Sequence, residues 1–224
     1  MGAMALTRPE RLFPLIRHIS YPASRALARL PITPNQITLA SLVAALLAAW
    51  GYMQGTYGWA VAGGLALSVS YLLDNADGEV ARLKGMQSRF GEYFDTFVDW
   101  LAHAAFFVGL GMGVRAAGGG DIWLWMGGIA AAGGTINYGL GIYLDRRQGD
   151  SADKAPDQPT TPEIRGLADW LVYAFRELSR ADFCFIALAL SLADLHWLLL
   201  PAGAIGAQVY WLTAFVRGAR RHHV

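Results

Sequence analysis

The chain has 224 residues, 54% of them apolar and only 16% charged, with a formal net charge of +1. Soluble domains are about a quarter charged, so this composition, with apolar blocks such as Ile37–Met53 and Ile122–Leu144, excludes an ordinary soluble globule. It also excludes a generally basic nucleic-acid binder, which needs surplus Lys and Arg, and the single cysteine, Cys184, excludes a disulfide framework or a cysteine-ligated zinc within one chain.

In chain order, Met1–Met4 reads as a cloning remnant, and Arg8, Pro9, Glu10 and Arg11 interrupt any apolar stretch of a signal peptide. Residues 5–30 set basic residues among Leu12, Phe13, Leu15, Ile16, Ile19 and Leu27, the pattern of an amphipathic helix lying in a membrane interface. A bilayer-crossing helix needs roughly 20 mostly apolar residues. Stretches of that kind are Asn35–Met53, Gly58–Leu73 running on to Ala81, Tyr93–Val114, Ile122–Leu144, Leu171–Leu192 and Trp197–Val216. The expected fold class is therefore all-α: a polytopic membrane protein, one domain over residues 1–224, with a six-helix bundle over 35–219. Between the fourth and fifth spans, residues 145–169 are polar and carry Pro156, Pro159 and Pro162, which reads as a loop without a core of its own.

Six spans put both termini on one side. Of the 18 Lys and Arg residues, Arg115 alone falls at the opposite end, so the positive-inside rule makes the termini and the 145–169 loop cytoplasmic. The expected location is a cell inner membrane.

Against this apolar background stand carboxylates. Asp74 and Asp77 close the second span, and Asp95 and Asp99 open the third. Each pair shares a helix face at spacings of three and four. The short basic turn around Arg82–Arg89 brings both pairs to one depth, near the cytoplasmic surface. Ionisable groups inside spans cost roughly 2.5–3.5 kcal/mol each and mark function by default. Four carboxylates this close retain protons or are neutralised by cations. An all-oxygen ligand set favours Mg²⁺, Mn²⁺ or Ca²⁺ over zinc, and one pair per helix suits two ions about 3.5–4 Å apart, as used for phosphoryl displacement. Gly78 leaves room for a ligand to approach, and Arg82, one turn on, can meet a phosphate bidentately.

The run Asp74-x2-Asp77-Gly78-x2-Ala81-Arg82-x8-Gly91-x3-Asp95-x3-Asp99 resembles the signature of the CDP-alcohol phosphotransferase family, and Pro34-Asn35-Gln36-Ile37-Thr38 is similar to the start of that family's first helix. The resemblance implies a Mg²⁺- or Mn²⁺-dependent transferase, with two divalent ions, that displaces CMP from a CDP-linked alcohol onto an acceptor alcohol. It places the metals on Asp74, Asp77 and Asp95, with Asp99 at the metal site as general base. It places Gly78, Ala81 and Arg82 against the CDP moiety, with Thr38 and Gly91 lining the same pocket. It implies a homodimer in the lipid bilayer and no nucleic-acid partner.

Remaining charges are weighed singly. Arg176 and Arg180, one turn apart, either bind an acceptor phosphate or snorkel as anchors. Glu79 and Glu92 either tune the site or, as the preferred reading, are solvated at the cytoplasmic boundary. His103 reads as a histidine hydrogen-bonded within the bundle in preference to a supporting partner for Asp99, and Arg115 as a plain interfacial charge. CDP-diacylglycerol is the expected donor, because a membrane-embedded cleft most simply serves a lipid. The alternatives are a di-inositol-phosphate-type synthase, faintly suggested by Leu178–Phe183, a membrane prenyltransferase, or a cation or proton transporter. The last predicts a polar path to the far side, and beyond His103 the third span offers only apolar residues and glycine.

Overall fold

The structure, a computed structural model, describes residues 13–148, 166 and 182–220, and in the helices it describes no side chains for residues 144–148, 214 and 216–220. Among the described residues all regular structure is helical. The elements are α1 (Ile16–Leu27), α2 (Pro34–Met53), α3 (Tyr57–Lys84), α4 (Arg89–Val114), α5 (Asp121–Gln148), α6 (Phe183–Leu192) and α7 (Leu199–Arg220). A π-turn, Arg115–Gly119, ends α4, and a 3₁₀ turn, His196–Leu198, precedes α7. Helix α5 runs one turn past the expected boundary at Leu144 into the segment read as loop. The expected fifth span enters the described residues only at Asp182, while residues 1–12, 149–165 and 167–181, including Arg176 and Arg180, lie outside them.

Local sequence explains the helix ends. Thr33 and Gln36 form a reciprocal capping box with Pro34 in the first turn of α2. Helix α3 stops at Gly85, whose φ of 64° is the left-handed conformation that ends helices. Ser88 then accepts the Gly91 amide and starts α4.

Helices α2 (Pro34–Met53) and α4 with its π-turn (Arg89–Gly119) are long and apolar enough to cross a membrane. In α3, the acids and the interspersed Gly63, Gly64, Ser68 and Ser70 dilute the apolar run. At 28 residues α3 is about 42 Å long, more than a hydrocarbon core of about 30 Å requires. Its last turns carry the acids.

Helix α2 packs on both α3 and α4, whereas α3 and α4 do not pack closely on each other. Helix α5 packs on α4 and α7, and α1 and α6 pack on α3. Small residues permit this closeness, as in membrane bundles: a Cβ on Gly109 would collide with the Ala49 carbonyl. At the core, buried Tyr52 hydrogen-bonds Ser191 at 2.8 Å and meets the edge of Phe106 at 5.1 Å.

Candidate active site

A short turn joins α3 to α4, and both helices pack on α2. Within about three helical turns of that junction stand Asp74 and Asp77 on α3 and Asp95 and Asp99 on α4. One carboxylate oxygen from each of Asp74, Asp77 and Asp95 lies within 4.8 Å of the other two. Asp99 stands outside that triad, but the Asp74 carboxyl lies within hydrogen-bonding reach of both Asp95 and Asp99. The two pairs read separately from the sequence thus meet at one place.

Burial grades the four acids. Asp77 is 5% exposed, Asp74 and Asp95 are half-buried, and Asp99 is exposed. Asp95 Oδ1 is buried without any hydrogen-bond partner. A buried carboxylate oxygen left unpaired is costly, and a hard cation bound by three carboxylates would satisfy it. The residues present fit a divalent ion.

The neighbours sharpen the arrangement. Thr38, 3% exposed, sends its hydroxyl from α2 to Asp77 Oδ2. The sequence places Thr38 in the pocket lining, and the structure puts its hydroxyl on Asp77. Gly78 follows on the same face, and a Cβ there would sit 3.5 Å from Arg82 Nη1, so the guanidinium folds back over the glycine toward the acids. Ala81 is half-buried and Arg82 exposed. Gly91 lies against Asn35, whose Oδ1 would be 3.4 Å from an added Cβ, joining the starts of α2 and α4 beside the acids. Arg115 is exposed at the other end of α4 and pairs with Asp121 at 2.6 Å.

Glu79 departs from expectation. It is 3% exposed, not solvated, and points to α1, with Ser20 Oγ 3.5 Å and Arg17 Nε 3.8 Å from its Oε1. Two residues correspond to about 200° around a helix, so Glu79 lies opposite Asp77, on the back of α3. Helix α1 packs there through Ile16, Ser20 and Ser24. Residues that sequence reasoning missed hold α1 in place. Asp182, fully buried, accepts the Leu15 and Ile16 amides at 2.7 and 2.8 Å, capping α1 from the far end of the chain. Lys84 Nζ donates to the Leu30 and Ile32 carbonyls at 2.7 and 2.6 Å. His103 is hydrogen-bonded within the bundle as expected, to Tyr71 and to the Asp99 carbonyl.

Residues 31–216 match the family model described as CDP-alcohol phosphatidyltransferase. The chain belongs to that family. Among curated members it is 36% identical over 107 residues to the archaetidylinositol phosphate synthase of Pyrococcus horikoshii, covering 47% of this chain and 52% of that protein. It is 29% identical over 180 residues to the phosphatidylinositol phosphate synthase of Cutibacterium acnes, covering 78% and 83%. The match thus spans about half the length of the archaeal relative. Its fold is similar to that of Mycobacterium tuberculosis phosphatidylinositol phosphate synthase in a crystal structure with CDP-DAG bound. That likeness has a TM-score of 0.56 at 20% identity, over 87% of this CDP-alcohol phosphatidyltransferase chain and 92% of the other.

Proposed function

We propose that the chain transfers a substituted phosphate from a CDP-linked alcohol to an acceptor hydroxyl, releasing CMP, in phospholipid biosynthesis. The observation that carries this reading is the convergence of Asp74, Asp77 and Asp95 oxygens within 4.8 Å, inside a chain of this family. The donor is CDP-diacylglycerol, the ligand of a structurally similar relative. The acceptor class to try first is a phosphorylated inositol, after the products named for the curated relatives.

In this reading Asp74, Asp77, Asp95 and Asp99 hold two divalent ions, Mg²⁺ or Mn²⁺, which when bound neutralise the pyrophosphate and stabilise the departing CMP. Thr38 orients Asp77. Gly78 and Ala81 let the CDP moiety approach α3, Gly91 shapes the same pocket, and Arg82 meets its phosphates. Asp99, which is exposed, takes the proton from the acceptor hydroxyl. The acceptor oxygen bonds to the phosphorus bearing the alcohol as the bond to the CMP oxygen breaks. Arg176 and Arg180 would serve an acceptor phosphate. Six spans, cytoplasmic termini and active site, an inner-membrane location and a homodimer complete the proposal, supported by the distribution of Lys and Arg and by the family.

The test offers purified protein CDP-diacylglycerol with inositol phosphate, glycerol phosphate or serine in turn, and follows CMP release and lipid product by mass spectrometry. A phosphatidylinositol phosphate product is expected. CMP release from a soluble CDP-linked polyol with a polyol phosphate as acceptor, but not from the lipid donor, would move the donor. Isoprenyl diphosphate turnover, or ion flux without CMP release, would overturn the reading.

A further inference from the structure

We propose that Tyr71 and His103 are positioning residues, their hydrogen bond forming a strut that sets the spacing of the two acid-bearing helices. The need for such a device follows from the packing: α3 and α4 both rest on α2 but not closely on each other. Backbone contact between them therefore does not fix how far Asp74 and Asp77 stand from Asp95 and Asp99.

Tyr71 lies three residues before Asp74 on α3, and His103 four residues after Asp99 on α4. Both share the faces of their acids, one turn deeper in the bundle. The Tyr71 hydroxyl is 3.0 Å from His103 Nε2. His103 Nδ1 is 2.8 Å from the Asp99 carbonyl oxygen. A carbonyl only accepts, so Nδ1 carries a proton and donates, and in the neutral imidazole Nε2 then accepts from the Tyr71 hydroxyl. One end of the strut is anchored on the backbone of Asp99 itself. Phe183, at the start of α6, packs on the imidazole with ring centroids 6.5 Å apart. A cavity of about 20 Å³ lies beside the pair, with Ser70, Tyr71, Asp74, Asp99, His103 and Phe183 in its wall. It has room for about one water, so the strut also bounds the space directly beneath two of the acids.

Tyr71 is half-buried and His103 exposed, and the bond gives a polar group on each helix its partner on the other. The two groups hold each other, and in doing so hold α3 at a set distance from α4. Removing either partner frees that distance, and the loss should be felt first where oxygens from both helices must converge on one ion. The inference rests on the metal site proposed above.

The test measures Mn²⁺ binding to the purified full chain by electron paramagnetic resonance, for the unmodified protein, Tyr71→Phe, His103→Leu and the double variant. Supporting partners of metal ligands are typically worth 10–100-fold in affinity. Each single variant should weaken Mn²⁺ binding by about tenfold or more. The double variant should be no weaker than the worse single one, because one bond is removed in both cases. In turnover, the metal concentration for half-activity should rise while the KM for the CDP-linked substrate stays the same. Tyr71→Phe removes a single oxygen, so it keeps the test valid if His103→Leu folds poorly. Mn²⁺ affinity within twofold of the unmodified protein, with or without a lower melting temperature, would overturn the strut. No Mn²⁺ binding to the unmodified protein would overturn the metal-site reading, and the strut's role with it.

Discussion

The last turns of α3 have two faces that carry the same chemistry and do different things. On the front, oxygens of Asp74 and Asp77 converge with one of Asp95 from α4, with Gly78 and Arg82 beside them. On the back, Glu79 is as buried as Asp77 but meets Ser20 and Arg17 of α1. An acid on the front faces other acids, so its charge calls for a cation. The acid on the back has a hydroxyl and a guanidinium near its Oε1, while its Oε2 is buried without a partner. No second carboxylate from another helix joins it in a metal-holding cluster among the described residues. Residue type and burial are alike, and only the facing element separates a site from a brace.

That contrast can be broken by mutation, starting at the front. Asp77→Asn should abolish Mn²⁺ binding and lower turnover about a thousandfold or more, since the ions supply several kcal/mol of transition-state stabilisation; CMP release and Mn²⁺ resonance measure both. Asp99→Asn should also abolish turnover but leave binding of the CDP-linked substrate largely intact, read by equilibrium binding of a labelled nucleotide. Thr38→Val deletes the hydroxyl on Asp77 and should weaken metal binding about 10–100-fold.

At the back, the readout changes from metal to stability. Asp182→Asn can accept only one of the Leu15 and Ile16 amides and should cost about 1–2 kcal/mol, seen as a lower melting temperature in detergent with Mn²⁺ affinity unchanged. Glu79→Gln should do least. It keeps an acceptor for Ser20 and loses an ion pair whose arginine is 44% exposed, a contact worth about 0–1 kcal/mol. Its turnover should stay close to that of the unmodified protein.

The front face was legible in the sequence because its logic is local. Spacings of three and four place two acids on one helix face, and a short turn returns the chain beside itself. The all-helical fold followed from apolar blocks. The back face was not legible, because its partners are remote: Asp182 caps α1 across 166 positions, and no periodicity announces a cap supplied from elsewhere. Glu79 lay within reach of a helical-wheel argument, which sets it opposite Asp77, but the wheel does not say what covers that side. Thr38 was read from the resemblance as lining the pocket, and nothing in its position on α2 announces that its hydroxyl bonds Asp77. His103 was read as bonded in the bundle, yet its partner Tyr71 shows only once α3 and α4 are seen to stand apart.

The most direct test titrates Mn²⁺ into the unmodified chain, Asp77→Asn and Glu79→Gln side by side, with electron paramagnetic resonance reporting bound ion. The account predicts binding to the unmodified chain, none to Asp77→Asn, and unchanged affinity for Glu79→Gln. Equal loss in both variants, or undiminished binding to Asp77→Asn, would contradict the claim that the front face alone holds the metal.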